Sequence, residues 1–95
     1  GADVIIGHHP HVVQPMERYR TRRDPDREVP IYYSLGNLIN PFTADYLCRS
    51  YVARLELARG RAKDGTVKTY VRSAGRVDVR QVIDEDAGTL RIVAR

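Results

Sequence analysis

The chain has 95 residues, of which 42% are hydrophobic and 29% charged, with a net charge of +4. That length allows one domain at most and a modest core. The composition excludes disorder over most of the length, no apolar run is long enough for a membrane-spanning helix, and a lone Cys48 excludes an internal disulfide framework.

Taken in chain order, residues 3–7 read as a buried strand of the parallel type, with Val4, Ile5 and Ile6 in a row and Gly7 closing it. The chain opens Gly1-Ala2-Asp3 and enters that strand at once, as expected of a C-terminal piece of a longer protein. Residues 8–15 read as a loop, because Pro10 and Pro15 exclude a regular helix. Met16 to Tyr19 is a short extended stretch, and Thr21 to Glu28 an exposed, charged hairpin tip. Val29 to Leu35 is a second strand, rich in β-branched and aromatic residues, ended by Gly36-Asn37. Residues 42–50 read as a loop over the site.

From residue 50 the pattern alternates. Tyr51, Ala53, Leu55 and Leu57 fall on one face, Arg54 and Glu56 on the other. Lys63-Asp64-Gly65-Thr66 is a turn signal. Val67 to Arg72, residues 76–83 and Thr89 to Val93 follow as strands, with a turn at Asp84 to Gly88. The expected fold is mostly β: two strands near the site, then two antiparallel hairpins.

All three histidines, His8, His9 and His11, lie in one four-residue window after the first strand. Neutral imidazole is the commonest metal ligand near neutral pH. A turn can point His8 and His11 to one side, whereas His9 and His11 form a closer pair on an extended backbone. A catalytic zinc usually takes three protein ligands and a water, so further ligands must be Asp, Asn or Glu, or lie outside the chain. Asn37 is one candidate by topology, better suited to hydrogen bonding than to ligation. The bland alternative is a histidine-rich loop that merely caps a strand.

The stretch GADVIIGHHPHVVQPME, followed by VPIYYSLGNLI, resembles the bacterial capsule-synthesis family, the CapA or poly-γ-glutamate capsule family. The residues that carry the likeness are Gly1-Ala2-Asp3, Gly7-His8 through His11 to Gln14, and Tyr33-Ser34-Leu35-Gly36-Asn37. It is strong over about residues 1–40 and loose beyond. The resemblance implies an α/β metallophosphoesterase-like β-sandwich with flanking helices and a dinuclear centre of Mn, Fe or Zn. Residues 1–95 would be the C-terminal portion of one such domain, with site-bearing strands and loops in 1–41 and hairpins in 50–94. It implies metal ligation by His8 and His11, with His9 the weaker ligand and Asn37 beside them. Gln14 and Ser34 would support the ligands from behind. The family's earlier ligand motifs are absent from these residues, so the piece alone is expected to be inactive.

The resemblance thus implies metal-assisted hydrolysis or transfer on a phosphoester or anionic polymer, at the extracytoplasmic face of the bacterial cell envelope. The alternative is a non-catalytic module that binds polyanion within a capsule-synthesis complex. The Arg18 to Arg27 cluster is interrupted by Asp24 and Asp26, which argues against a specific nucleic-acid surface. Membrane association is expected only through an upstream segment, and exposed sheet edges predict self-association.

Overall fold

The first apolar run forms a strand of only two residues. The computed structural model describes residues 1–94, and in it β1 (Ile5–Ile6) pairs in parallel with β3 (Glu28–Tyr32). β2 (Met16–Arg20) lies antiparallel on the other side of β3, so the first sheet has the order β1-β3-β2. The expected burial of the first strand is not met: Ile5 is 47% and Ile6 44% exposed. β1 is an edge strand, and the described residues cover neither of its faces.

The second sheet is a meander of β4 (Arg49–Arg61), β5 (Val67–Asp84) and β6 (Thr89–Ala94). The two expected hairpins are present, but they share one long middle strand. The sequence shows a break near Ser73-Ala74-Gly75 because polar and small residues interrupt the alternation there. The backbone passes through it with a bulge. Glu56 faces Ser73 and Leu57 faces Val71, which leaves Arg72 as the extra residue. Arg72 and Ser73 both turn to Glu56, at 3.3 Å each. Beyond this point the second sheet outruns its cover, and Leu57, which shares a face with the buried Tyr51, is 63% exposed. The molecule is accordingly long, 61 × 22 × 17 Å.

The core sits where the two sheets meet. Tyr32, Tyr51 and Ala74 are buried, with Val4, Met16, Leu35, Ala53, Leu55 and Val71 packed around them. The tyrosine rings are tilted at 45° with centroids 5.9 Å apart, a geometry worth about 0.5–1.5 kcal/mol beyond burial. Three polar contacts tie the sheets across this core. The Tyr32 hydroxyl donates to the Gly75 carbonyl at 2.8 Å, Arg18 donates to the Ala74 carbonyl at 2.6 Å, and the Tyr51 N–H donates to the Leu35 carbonyl at 3.0 Å. Burial raises the Tyr32 and Tyr51 phenol pKa values, because the charged form would lose its water there.

Residues 38–48 link the sheets. They end in a single helical turn, α1 (Asp45–Cys48). The link is held by a buried amide pair: Gln81 accepts from the Asn40 N–H and donates to the Asn40 carbonyl, both at 2.8 Å. The Asn40 side chain reaches on to the Leu47 carbonyl at 2.9 Å and accepts from the Phe42 N–H at 2.8 Å. Cys48 is buried, as expected of a small hydrophobe.

Candidate functional site

Two glycines set the geometry of the histidine turn. The Gly7 N–H donates to the Tyr32 carbonyl at 2.7 Å, and the Leu35 N–H donates to the Gly7 carbonyl at 3.1 Å. A β-carbon on Gly7 would fall 2.4 Å from the Tyr33 carbonyl oxygen, inside contact distance of a backbone atom. Gly36 has a φ of +79°, and a β-carbon there would lie 2.8 Å from the Arg49 carbonyl oxygen. Only glycine lets the two segments lie this close.

Between these fixed points the chain makes a turn over His8-His9-Pro10-His11, closed by the His11 N–H to the His8 carbonyl at 3.2 Å. His11 itself has a φ of +61°, on the left-handed side that a non-glycine residue adopts at a cost of about 1–2 kcal/mol. The return leg is sewn down by the Gln14 N–H to the Ser34 carbonyl at 3.1 Å and by an antiparallel bridge between Val13 and Leu35.

The turn brings His11 onto Asn37, 26 residues away in sequence. His11 Nδ1 lies 2.8 Å from Asn37 Oδ1. With the Asn37 oxygen accepting, the ring donates from Nδ1, and a neutral imidazole in that tautomer keeps its lone pair on Nε2. Nδ2 of Asn37 is buried and has no hydrogen-bond partner, an arrangement that costs about 1–3 kcal/mol. Strain at His11 and an unpaired amide at Asn37 therefore accompany one oriented imidazole, and local cost of this kind clusters at functional sites.

The other expected residues divide. His8 and His9 are exposed on the same turn. Ser34 is fully buried, and its hydroxyl accepts from the Gly36 N–H at 3.3 Å, so it shapes the turn below the site. Gln14 acts through its backbone, since its carbonyl also accepts from the Tyr51 hydroxyl at 3.4 Å. Its side chain makes no hydrogen bond to His8 or His11 among the described residues. The arginine excursion is partly committed to structure: Arg18 bonds Ala74, Arg20 pairs with Glu28 at 3.6 Å, and Arg27 pairs with Asp3 at 2.7 Å.

Among the described residues no group of three or more His, Cys, Asp or Glu side chains gathers to hold a metal ion. What is present is a partial donor set with the right chemistry: an imidazole fixed through Nδ1, its Nε2 free, and a second imidazole on the same turn. A ring held through its far nitrogen is how metal-bound histidines are commonly oriented. The sequence favours hydrogen bonding over ligation for Asn37, and the structure sets its Oδ1 against His11 Nδ1.

Comparison with known proteins bears on the same segment. The family model for the bacterial capsule synthesis protein PGA_cap matches residues 1–41. Over 39 residues the chain is 49% identical to the PGA biosynthesis protein CapA of Bacillus subtilis (strain 168), a stretch that is 41% of this chain and 8% of that relative. It is 46% identical over 39 residues to the capsule biosynthesis protein CapA of Bacillus anthracis, again 41% of this chain and 8% of the relative. No solved structure matches.

Proposed function

We propose, from the premise that residues 1–41 belong to the bacterial capsule synthesis family, that this segment supplies His8 and His11 to a divalent-metal centre serving capsule biosynthesis. The observation that carries the reading is the His11–Asn37 contact, which holds the ring through Nδ1 on a turn where His11 has a positive φ. A bound pair of divalent cations would polarise a phosphoryl or acyl oxygen and lower the pKa of a shared water. His8 and His11 would hold such ions, Mn, Fe or Zn, and Asn37 would keep the His11 ring turned and its proton on Nδ1. The remaining ligands come from outside the described residues. The reaction class is metal-assisted hydrolysis of the phosphoesterase type, on a phosphoester or an anionic polymer. Its place is the bacterial cell envelope, at the extracytoplasmic face. No helix among the described residues is long and apolar enough to cross a membrane.

A second reading is a non-catalytic module that binds polyanion in the same assembly. It draws on the incomplete donor set and on the basic second sheet. Metal analysis of the purified protein separates the two. Stoichiometric Mn, Fe or Zn that is lost in both His8→Ala and His11→Ala supports the metal centre. Unchanged metal content in both variants would overturn it.

A further inference from the structure

The two turns of the second sheet carry opposite charge. Residues 57–70, around the β4–β5 turn, hold Arg59, Arg61, Lys63 and Lys68 against Asp64, a net +3. The β5–β6 turn, residues 84–88, holds Asp84, Glu85 and Asp86 and no cation, a net −3. β5 joins the two turns with 18 residues, about 55 Å of strand. They therefore stand at opposite ends of a molecule 61 Å long. Arg59, Lys63, Asp84, Glu85 and Asp86 make no ion pair among the described residues. Arg61 and Lys68 share a cleft with Asp24 and Asp26 of the first sheet. No ion pair crosses that cleft among the described residues.

Each charged end adjoins an outer strand. β4 and β6 flank the sheet, and β4 meets the first sheet only at its start, through Ser50 and Tyr51. From Val52 to Arg61 the outer edge of β4 pairs with no strand, and the same holds for the outer edge of β6. An antiparallel addition of β6 from a second copy to β4 would set its acidic turn beside Arg59, Arg61 and Lys63. To present that edge the second copy must be turned over. Its Leu90 and Ile92 then fall on the face of β4 that carries Leu55 and Leu57. One register suits the whole strand: Leu90 opposite Leu57, Ile92 opposite Leu55, and Arg91 opposite Glu56. Leu57 and Leu90, 63% and 40% exposed in the single chain, would cover each other. Pairing β4 with a second β4 would instead crowd Arg54, Arg59 and Arg61 of both copies. Pairing β6 with a second β6 would leave the cationic turn without its acidic partner.

We infer that this chain docks on a second copy of itself, β6 of one copy adding antiparallel to β4 of the next, with the acidic β5–β6 turn seated against the cationic β4–β5 turn. Strand addition supplies the backbone contacts, and charge complementarity supplies direction and register. The two surfaces differ, so the contact is heterologous: every docked pair leaves one β4 edge and one β6 edge open, and copies add in series. The interface lies outside residues 1–41, the segment matched by the capsule family. It rests on neither the metal centre nor the capsule reading.

Sedimentation velocity of the full chain over a concentration series tests this with two charge-reversed variants. Arg59→Glu/Lys63→Glu spares Arg61, which donates to the Gly65 carbonyl. Glu85→Lys/Asp86→Lys spares Asp84, which accepts from the Ala87 N–H. Each variant alone should associate at least about tenfold more weakly than the parent chain, and an equimolar mixture of the two should return to within about threefold of it. Such recovery shows that both variants are folded. Association of the parent should weaken as salt rises from about 0.05 to about 0.5 M, since the facing charges are exposed. Amide hydrogen exchange should slow in residues 53–59 and 89–94 as concentration rises. A labelled peptide of residues 84–94 should bind the chain, and a scrambled peptide of the same composition should bind at least about tenfold more weakly. A chain that stays monomeric would overturn the proposal, as would association unchanged in both variants, which places the contact at another edge such as β1. A mixture no stronger than its components would overturn it too, and so would equal binding of the scrambled peptide. His8→Ala/His11→Ala should associate normally, so failure of the metal centre and failure of this interface are separable.

Discussion

His11 is where local cost and proposed chemistry meet. Its positive φ is retained although glycine would adopt it freely. Replacing His11 with Gly should therefore leave stability unchanged or raise it by up to about 1 kcal/mol, despite the lost Asn37 contact. Urea denaturation reads this directly, and a loss beyond about 1 kcal/mol would mean that the imidazole is structural. Asn37→Ala separates orientation from packing. If Asn37 holds the ring for a metal, the variant should bind Mn or Zn about 10–100-fold more weakly by calorimetry, with its melting temperature little changed. Gly7 makes the opposite case. Gly7→Ala drives a methyl group into the Tyr33 carbonyl oxygen and should cost about 1–3 kcal/mol of folding stability.

At the scale of elements, the link between the sheets depends on one buried amide. Gln81→Leu leaves the Asn40 N–H and carbonyl unpaired in a buried setting. A loss of about 2–3 kcal/mol is expected, together with faster proteolytic cleavage within residues 38–46. Leu38, Ile39, Phe42 and Tyr46 are all exposed on this link, so its shape comes from the polar clamp and not from apolar burial. Sequence patterning could not show that, because Asn40 and Gln81 lie 41 residues apart. It did show the strands of the second sheet, where β-branched alternation and the turn at Asp64-Gly65 agree. It missed the continuity of β5, since a bulge shifts the alternation at Arg72. In the first sheet, the run Val4-Ile5-Ile6 signals a buried parallel strand, but burial needs neighbours that a short run cannot name. The loop that carries the histidines is legible from Pro10 and Pro15, but spacing allows both a turn and an extended His9–His11 pair; the Asn37 contact depends on Gly7 and Gly36 packing against backbone.

For the whole molecule, two sheets joined through Tyr32 and Tyr51 make stability depend on the neutral phenols. Both pKa values are raised by burial. The stabilisation is fully present below the unfolded value near 10 and is lost as pH rises toward the folded values. Melting temperature should hold level to about pH 9 and fall above about pH 10, and Tyr32→Phe should show a shallower fall. Exposed Ile5 and Ile6 on an edge strand also predict concentration-dependent association of this chain, which sedimentation velocity would detect. The central claim, that the histidine turn holds a metal ion, is tested most directly by anomalous diffraction from crystals grown with Mn or Zn. The account predicts a peak about 2.0–2.2 Å from His11 Nε2, with Nδ1 still on Asn37 and His8 facing the same ion or its neighbour. A metal bound through Nδ1, or no peak at the turn when the protein holds stoichiometric metal elsewhere, would contradict it.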